Sequence, residues 1–171
     1  MSLPLVTRFG ANPLLDLELA NKQYVDTGGG AQFARVVKLL DETVADNTLQ
    51  NDDELFIALR ENREYYFQVW LKVLTASSTP DIKEAFSVQA GATGGFAELV
   101  NPNYPYNLDL TDTHTQGITG GVNPRGQILS GVVHMGGTAG NLQLQWAQNT
   151  TSAPNPVTLE AGTLMVVWES L

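Results

Sequence analysis

From residue 31 onward, apolar and polar residues alternate with a period of two, the pattern of half-buried β-strands. It is plainest from Glu64 to Leu74, where Phe67, Val69, Leu71 and Val73 share one face and Tyr66, Gln68, Trp70, Lys72 and Leu74 the other. The closing segment Thr163 to Trp168 repeats it, with Leu164, Val166 and Trp168 opposed by Met165 and Val167. Both faces of these two strands carry large apolar groups. A strand of a simple two-sheet sandwich buries one face only, so Tyr66, Trp70, Leu74 and Trp168 call for a second cover, most simply another subunit, which predicts an oligomer with these four residues in its interface.

Further strands are expected at Leu55–Arg60, Ile82–Val88, Gly95–Val100, Gln127–Met135 and Leu142–Ala147, punctuated by Gly, Pro, Asn and Asp. In the last, Leu142, Leu144 and Trp146 alternate with Gln143 and Gln145, giving one dry side and one amide side. Phe33 to Leu40 also suits a helix through Phe33, Val36, Val37 and Leu40, but the strands downstream tilt it to β. Many short strands at such spacing predict a mostly β protein built as a jelly roll or β-sandwich over residues 31–171.

Residues 1–30 differ. Pro4, Gly10 and Pro13 interrupt any periodic pattern, and Gly28, Gly29 and Gly30 form a permissive joint. An extended N-terminal arm is expected, containing one short helix from Leu17 to Val25 capped by Asp16, with Leu17, Ala20 and Tyr24 on one stripe. Two to three turns are marginal alone, so the stripe requires a partner. Leu3, Leu5, Val6, Leu14, Leu15, Leu17, Leu19 and Tyr24 are the candidate partner-binding residues of the arm.

Charge narrows the partners. Nine Lys and Arg against 18 Asp and Glu give a net charge of -9 over 171 residues, a field that repels phosphate backbones and anionic membranes, so neither nucleic-acid binding nor membrane insertion is expected. No apolar run approaches the ~20 residues that span a bilayer, and Met1 to Arg8 lacks the layout of an export signal. The absence of cysteine excludes disulfides, thiolate metal sites and cysteine nucleophiles.

No constellation of nucleophile, base or metal ligands emerges, and no catalytic residue, metal or cofactor is assigned. Of the two histidines, His114 falls in the polar stretch Thr111 to Gln116 and reads as solvated, whereas His134 alternates with Val132 and reads as a hydrogen-bonded interface or core residue. The run Asp52, Asp53 and Glu54 lacks the spacing of a calcium loop and reads as a turn and charged edge before Leu55. Gly28 to Gly30, Gly94 to Gly95 and Gly136 to Gly140 match no phosphate-cradling loop and read as hinges and turns. In the loop Asn103 to Asn107, Tyr104 and Tyr106 beside amides are a candidate glycan contact, because aromatic faces stack on sugar rings. The triplet Asn149-Thr150-Thr151 matches a glycosylation sequon and is also ordinary turn chemistry.

Two stretches carry a resemblance. Ala20-Asn21-Lys22-Gln23-Tyr24-Val25-Asp26 resembles the short helical motif found near the attachment regions of phage tail fibres and related virion proteins. The stretches from Asn51 to Phe67, from Thr79 to Thr93 and from Leu142 to Trp168 are similar to compact phage structural domains. The resemblance implies a non-enzymatic virion structural protein, a homotrimeric sandwich fixed to the particle by its N-terminal segment. Only Thr27 to Gly30 separates the motif from the globular part, with no fibre shaft between, which suits a capsid decoration or cement protein. Such a protein would assemble in the host cytoplasm, sit on the outer capsid surface and bridge subunits of the major capsid protein. The alternative it implies is a short tail fibre or receptor-binding tip that contacts a tail protein and a host glycan. A cellular carbohydrate-binding module is a third class.

Overall fold

A computed structural model describes residues 33–99 and 108–170. The arm, its short helix and the Tyr104 and Tyr106 loop lie outside the described residues. Twelve strands follow one another: β1 (Phe33–Val37), β2 (Glu42–Val44), β3 (Gln50–Leu59), β4 (Glu64–Thr75), β5 (Ile82–Ser87), β6 (Thr93–Glu98), β7 (Leu108–Asp109), β8 (His114–Gln116), β9 (Arg125–His134), β10 (Gly140–Gln148), β11 (Val157–Leu159) and β12 (Leu164–Glu169). They form two antiparallel sheets packed as a β-sandwich. The larger runs β1-β12-β4-β9-β6-β7, with β11 paired to both β2 and β4, and the smaller runs β3-β10-β5-β8.

Alternation decides what enters the space between the sheets. On β4, Tyr65, Phe67, Val69, Leu71 and Val73 are buried there, facing Leu142, Leu144 and Trp146 of β10 and Leu55, Ile57 and Leu59 of β3 within one continuous apolar core. At its centre Phe86 packs edge-on against both Phe67 and Phe96, with ring centroids 4.8 and 5.0 Å apart, the arrangement that aromatic quadrupoles favour. Gly131 lies opposite Phe67 on β9. A Cβ there would stand 2.4 Å from both the Phe67 ring and the Gly95 carbonyl oxygen, so only glycine admits this close approach.

The strands break together at one place. Between β1 and β2 the chain leaves the ladder at Lys38, and between β11 and β12 it leaves at Glu160. The two breaks face each other: Lys38 N donates to Thr163 O and Gly162 N to Lys38 O, each at 2.8 Å. Gly162 sits at φ 87, a conformation that costs glycine little.

The inward phase of Ala34 and Val36 carries on to Lys38, whose side chain is 1% exposed and donates to Asp52 Oδ2 at 2.8 Å and to Glu42 Oε2 at 2.7 Å. Burial pushes the ammonium pKa down, but the hydrogen bonds to Asp52 and Glu42 outweigh it and hold Lys38 charged. Asp52 Oδ2 also accepts from Trp146 Nε1, while Oδ1 accepts from the backbone of Glu54 and Leu55. Asp52 is therefore not the exposed turn residue that its acidic run suggested. It is fully buried within β3, and its partner lies 14 residues away, beyond the reach of any local pattern.

Other expectations shift by smaller amounts. The segment from Phe33 is a strand that stops at Val37, and β3 begins five residues before Leu55. The four short strands β2, β7, β8 and β11 carry two or three residues each, too few to show a period. The alternation read in β10 holds, and its amides serve the neighbouring strand: Gln143 Nε2 donates to Asp52 O and Gln145 Nε2 to Asn51 Oδ1.

Replacing Asp52 by Ala removes the acceptor for two side chains and two backbone amides and leaves Lys38 a poorly compensated buried charge. The expected loss is about 3–5 kcal/mol of unfolding free energy, read from urea denaturation.

Candidate association face and a buried acid–histidine cluster

The outer face of the larger sheet is the surface that distinguishes this molecule. The ladder registers place its side chains on three rungs. Phe33, Trp168, Tyr66, Val132 and Gly95 form the first. Arg35, Val166, Gln68, Ser130 and Ala97 form the second, and Val37, Leu164, Trp70 and Ile128 the third. Leu74 extends the apolar surface beyond Lys72, beside Thr158. Tyr66 and Trp168 are stacked with centroids 6.2 Å apart and planes at 24°.

All four interface residues expected from the alternation, Tyr66, Trp70, Leu74 and Trp168, lie on this one face of β4 and β12, with Trp168 directly beside Tyr66. The structure adds Phe33, Val37, Ile128 and Val132, whose positions follow from strand pairing that no single segment reveals. Phe33 and Tyr66 are 42% and 43% exposed. Two apolar rungs thus flank a middle rung on which Arg35, Gln68 and Ser130 are polar, and partly exposed apolar surface of this kind is commonly an interaction site. Arg35 is the one charged side chain on the three rungs, so in a chain of net charge -9 this face is free of the like-charge repulsion that would hold copies apart.

A second site lies inside the sandwich. Glu84 of β5 and His114 of β8 are paired in the smaller sheet, and Glu98 of β6 reaches them from the larger one. His114 Nδ1 stands 3.1 Å from Glu84 Oε2, and Nε2 stands 3.9 Å from Glu98 Oε2. Gln116 Nε2 donates to Glu98 Oε1. His114 is 2% exposed, so the solvated loop histidine expected from Thr111 to Gln116 is corrected. The pairing with Glu84, 30 residues earlier, draws it inside. His134 keeps its expected strand, with Nδ1 2.8 Å from Glu64 Oε2, but its side chain is about half exposed and belongs to no core.

Burial pushes the Glu84 carboxyl above the usual carboxylate range, against the opposing pull of His114. For His114 burial acts downward, yet the hydrogen bond and attraction of Glu84, joined by Glu98, outweigh it and raise the imidazole. The cluster can therefore hold a proton between Glu84 and His114 while clasping one sheet to the other.

Both shifts have the same sign in linkage. A folded-state pKa above its unfolded value means the native state binds the extra proton, so stability is fully present below the unfolded value and is lost as pH rises through the folded one. The window opens upward from 4.5 for Glu84 and from 6.5 for His114. Thermal unfolding should show stability falling from mildly acidic to alkaline pH, with a shallower slope in His114→Gln. Association through the outer face predicts that Trp70→Ala combined with Trp168→Ala weakens it at least about tenfold by sedimentation, as loss of interface aromatics does.

A scan against protein-family models finds no match, and a search of curated proteins finds none with significant similarity.

Proposed function

We propose that this protein is a structural component of a phage virion, a homotrimer closed through the outer face of its larger sheet, that decorates the capsid and stabilises it by bridging major capsid protein subunits. The observation that carries the reading is the outer face that bears Tyr66, Trp70, Leu74 and Trp168 together, a surface suited to being covered by another copy. Strand order supports it. β3-β10-β5-β8 facing β4-β9-β6-β7 is the arrangement of a jelly roll, an architecture common among viral capsid and lectin domains.

The protein acts by binding and not by catalysis. The trimer sits on the shell, and the N-terminal residues Leu3, Leu5, Val6, Leu14, Leu15, Leu17, Leu19 and Tyr24 supply the apolar contacts to the coat. Three linked arms convert the second and third contacts into intramolecular ones, which offsets the cost of ordering each segment.

Removing residues 1–26 should leave a trimer that no longer cosediments with particles, whereas retained attachment contradicts the role of the arm. Gold-labelled antibody on intact particles should mark the head. Label confined to the tail would instead favour the receptor-binding tip, with Tyr104 and Tyr106 as the residues to replace.

A further inference from the structure

Among the described residues β8 is an edge strand of the smaller sheet, three residues long and paired on one side, His114 with Glu84, Thr115 with Lys83 and Gln116 with Ile82. By contrast, β4 pairs with β9 over ten consecutive residues. The chain around β8 is pinned on either side of the strand. Leu110 O accepts from Phe86 N at 2.7 Å, Ile118 N donates to Asp81 Oδ1 at 3.1 Å and Gly121 N to Thr75 O at 3.0 Å, while the Leu110 and Ile118 side chains are buried in the core. Between those pins the side chains of β8 reach the larger sheet at Glu98, with His114 Nε2 3.9 Å from its Oε2 and Gln116 Nε2 donating to its Oε1. The His114 ring also stands edge-on to Phe96, with centroids 6.3 Å apart.

A short edge strand is the element most easily lifted without unfolding the rest. What holds this one turns on a proton. Glu84, Glu98 and His114 are all buried, and Glu84 Oε1 and Glu98 Oε2 accept no hydrogen bond among the described residues. A protonated imidazole presents an N–H to each carboxyl group, whereas a neutral ring has one N–H and turns a lone pair towards the other. Loss of the last shared proton therefore leaves two buried carboxylates with no cation between them, which a low-dielectric interior tolerates poorly. The other charged groups nearby do not replace it. Lys83 follows the strand alternation to the opposite face of the smaller sheet, and Arg125 is exposed at the start of β9. Asp81 is bonded to Ile118, and Asp109 and Asp112, just before β8, are bonded to each other and add negative charge. We infer that Glu84, His114 and Glu98 form a proton-operated latch, which holds residues 110–121 against the larger sheet when protonated and releases that segment when deprotonated, while the two sheets stay packed. Both Glu84 and His114 have raised values, so the closed form is favoured at acid pH and loses its hold as pH rises through the folded-state value of His114, above 6.5. Release strips β5 of its neighbour and uncovers Phe96, opening at alkaline pH a strand edge that is covered at acid pH. The latch does not depend on association through the outer face, which is the opposite side of the larger sheet.

The test uses the full chain, with amide hydrogen exchange of β8 and β4 and the ring signals of His114 followed by NMR across pH, exchange being corrected for its intrinsic pH dependence. Between about pH 6 and about pH 9 the protection of residues 114–116 should fall at least about threefold while β4 keeps its own, with the same midpoint as the His114 ring. Glu98→Gln keeps the acceptor for Gln116 and removes one of the two carboxylates, so its β8 should stay protected at alkaline pH. His114→Gln should loosen β8 already at acid pH and abolish the response, a readout that stands if Glu98→Gln fails to fold. Protection that does not change with pH in the wild-type chain would overturn the inference, and so would a parallel loss in β4, which marks unfolding of the whole sandwich. A midpoint unrelated to the His114 ring, or a response unchanged in either variant, would overturn it as well.

Discussion

The sandwich depends on one buried carboxylate. Asp52 receives the ammonium of Lys38 from the broken edge of the larger sheet and the indole N–H of Trp146 from the middle of the smaller one, and it ties down the backbone that begins the buried part of β3. A charge in the interior is tolerated only when its partner and its remaining lone pairs are met, and here both are. The constraint fixes more than energy. Lys38 reaches Asp52 because it keeps the inward phase of Ala34 and Val36 and is still bonded across to Thr163 and Gly162 at the end of the β1–β12 ladder. Glu42, pushed up by burial and drawn back by Lys38, closes the same pocket from β2.

The cross-sheet polar contacts at Asp52 have a counterpart in the cluster at Glu98. One is built on a lysine held charged and saturated with acceptors, the other on a histidine whose pKa Glu84 and Glu98 raise against burial. The second combines a structural role with the capacity to respond to protons. Neither lies on the outer face of the larger sheet, where Phe33 and Tyr66 are exposed, Trp168 stacks beside Tyr66 and Trp70 stands half-buried two rungs away, the surface on which the proposed association rests.

Much of this was legible in the sequence, for a definite reason. Where a strand is long enough to repeat, as in β4, β10 and β12, the alternation names both its inner and outer residues, and Tyr66, Trp70, Leu74 and Trp168 were found that way. What was missed is non-local. His114 lies in a polar hexapeptide with no period, and its burial depends on Glu84 and Glu98, which come from two other strands. Asp52 looks like a charged turn because its neighbours are acidic, and its buried partner Lys38 lies 14 residues away. Phe33, Ile128 and Val132 join the outer face through register, a property of pairs of strands.

The measurement that bears most directly on the central claim is the solution mass of the full chain by sedimentation equilibrium across a range of protein concentrations. A mass three times that of the chain, falling towards one when Trp70 and Trp168 are replaced, is the result this account requires. A single monomeric species at every concentration, with the outer face of the larger sheet left open to water, would contradict it.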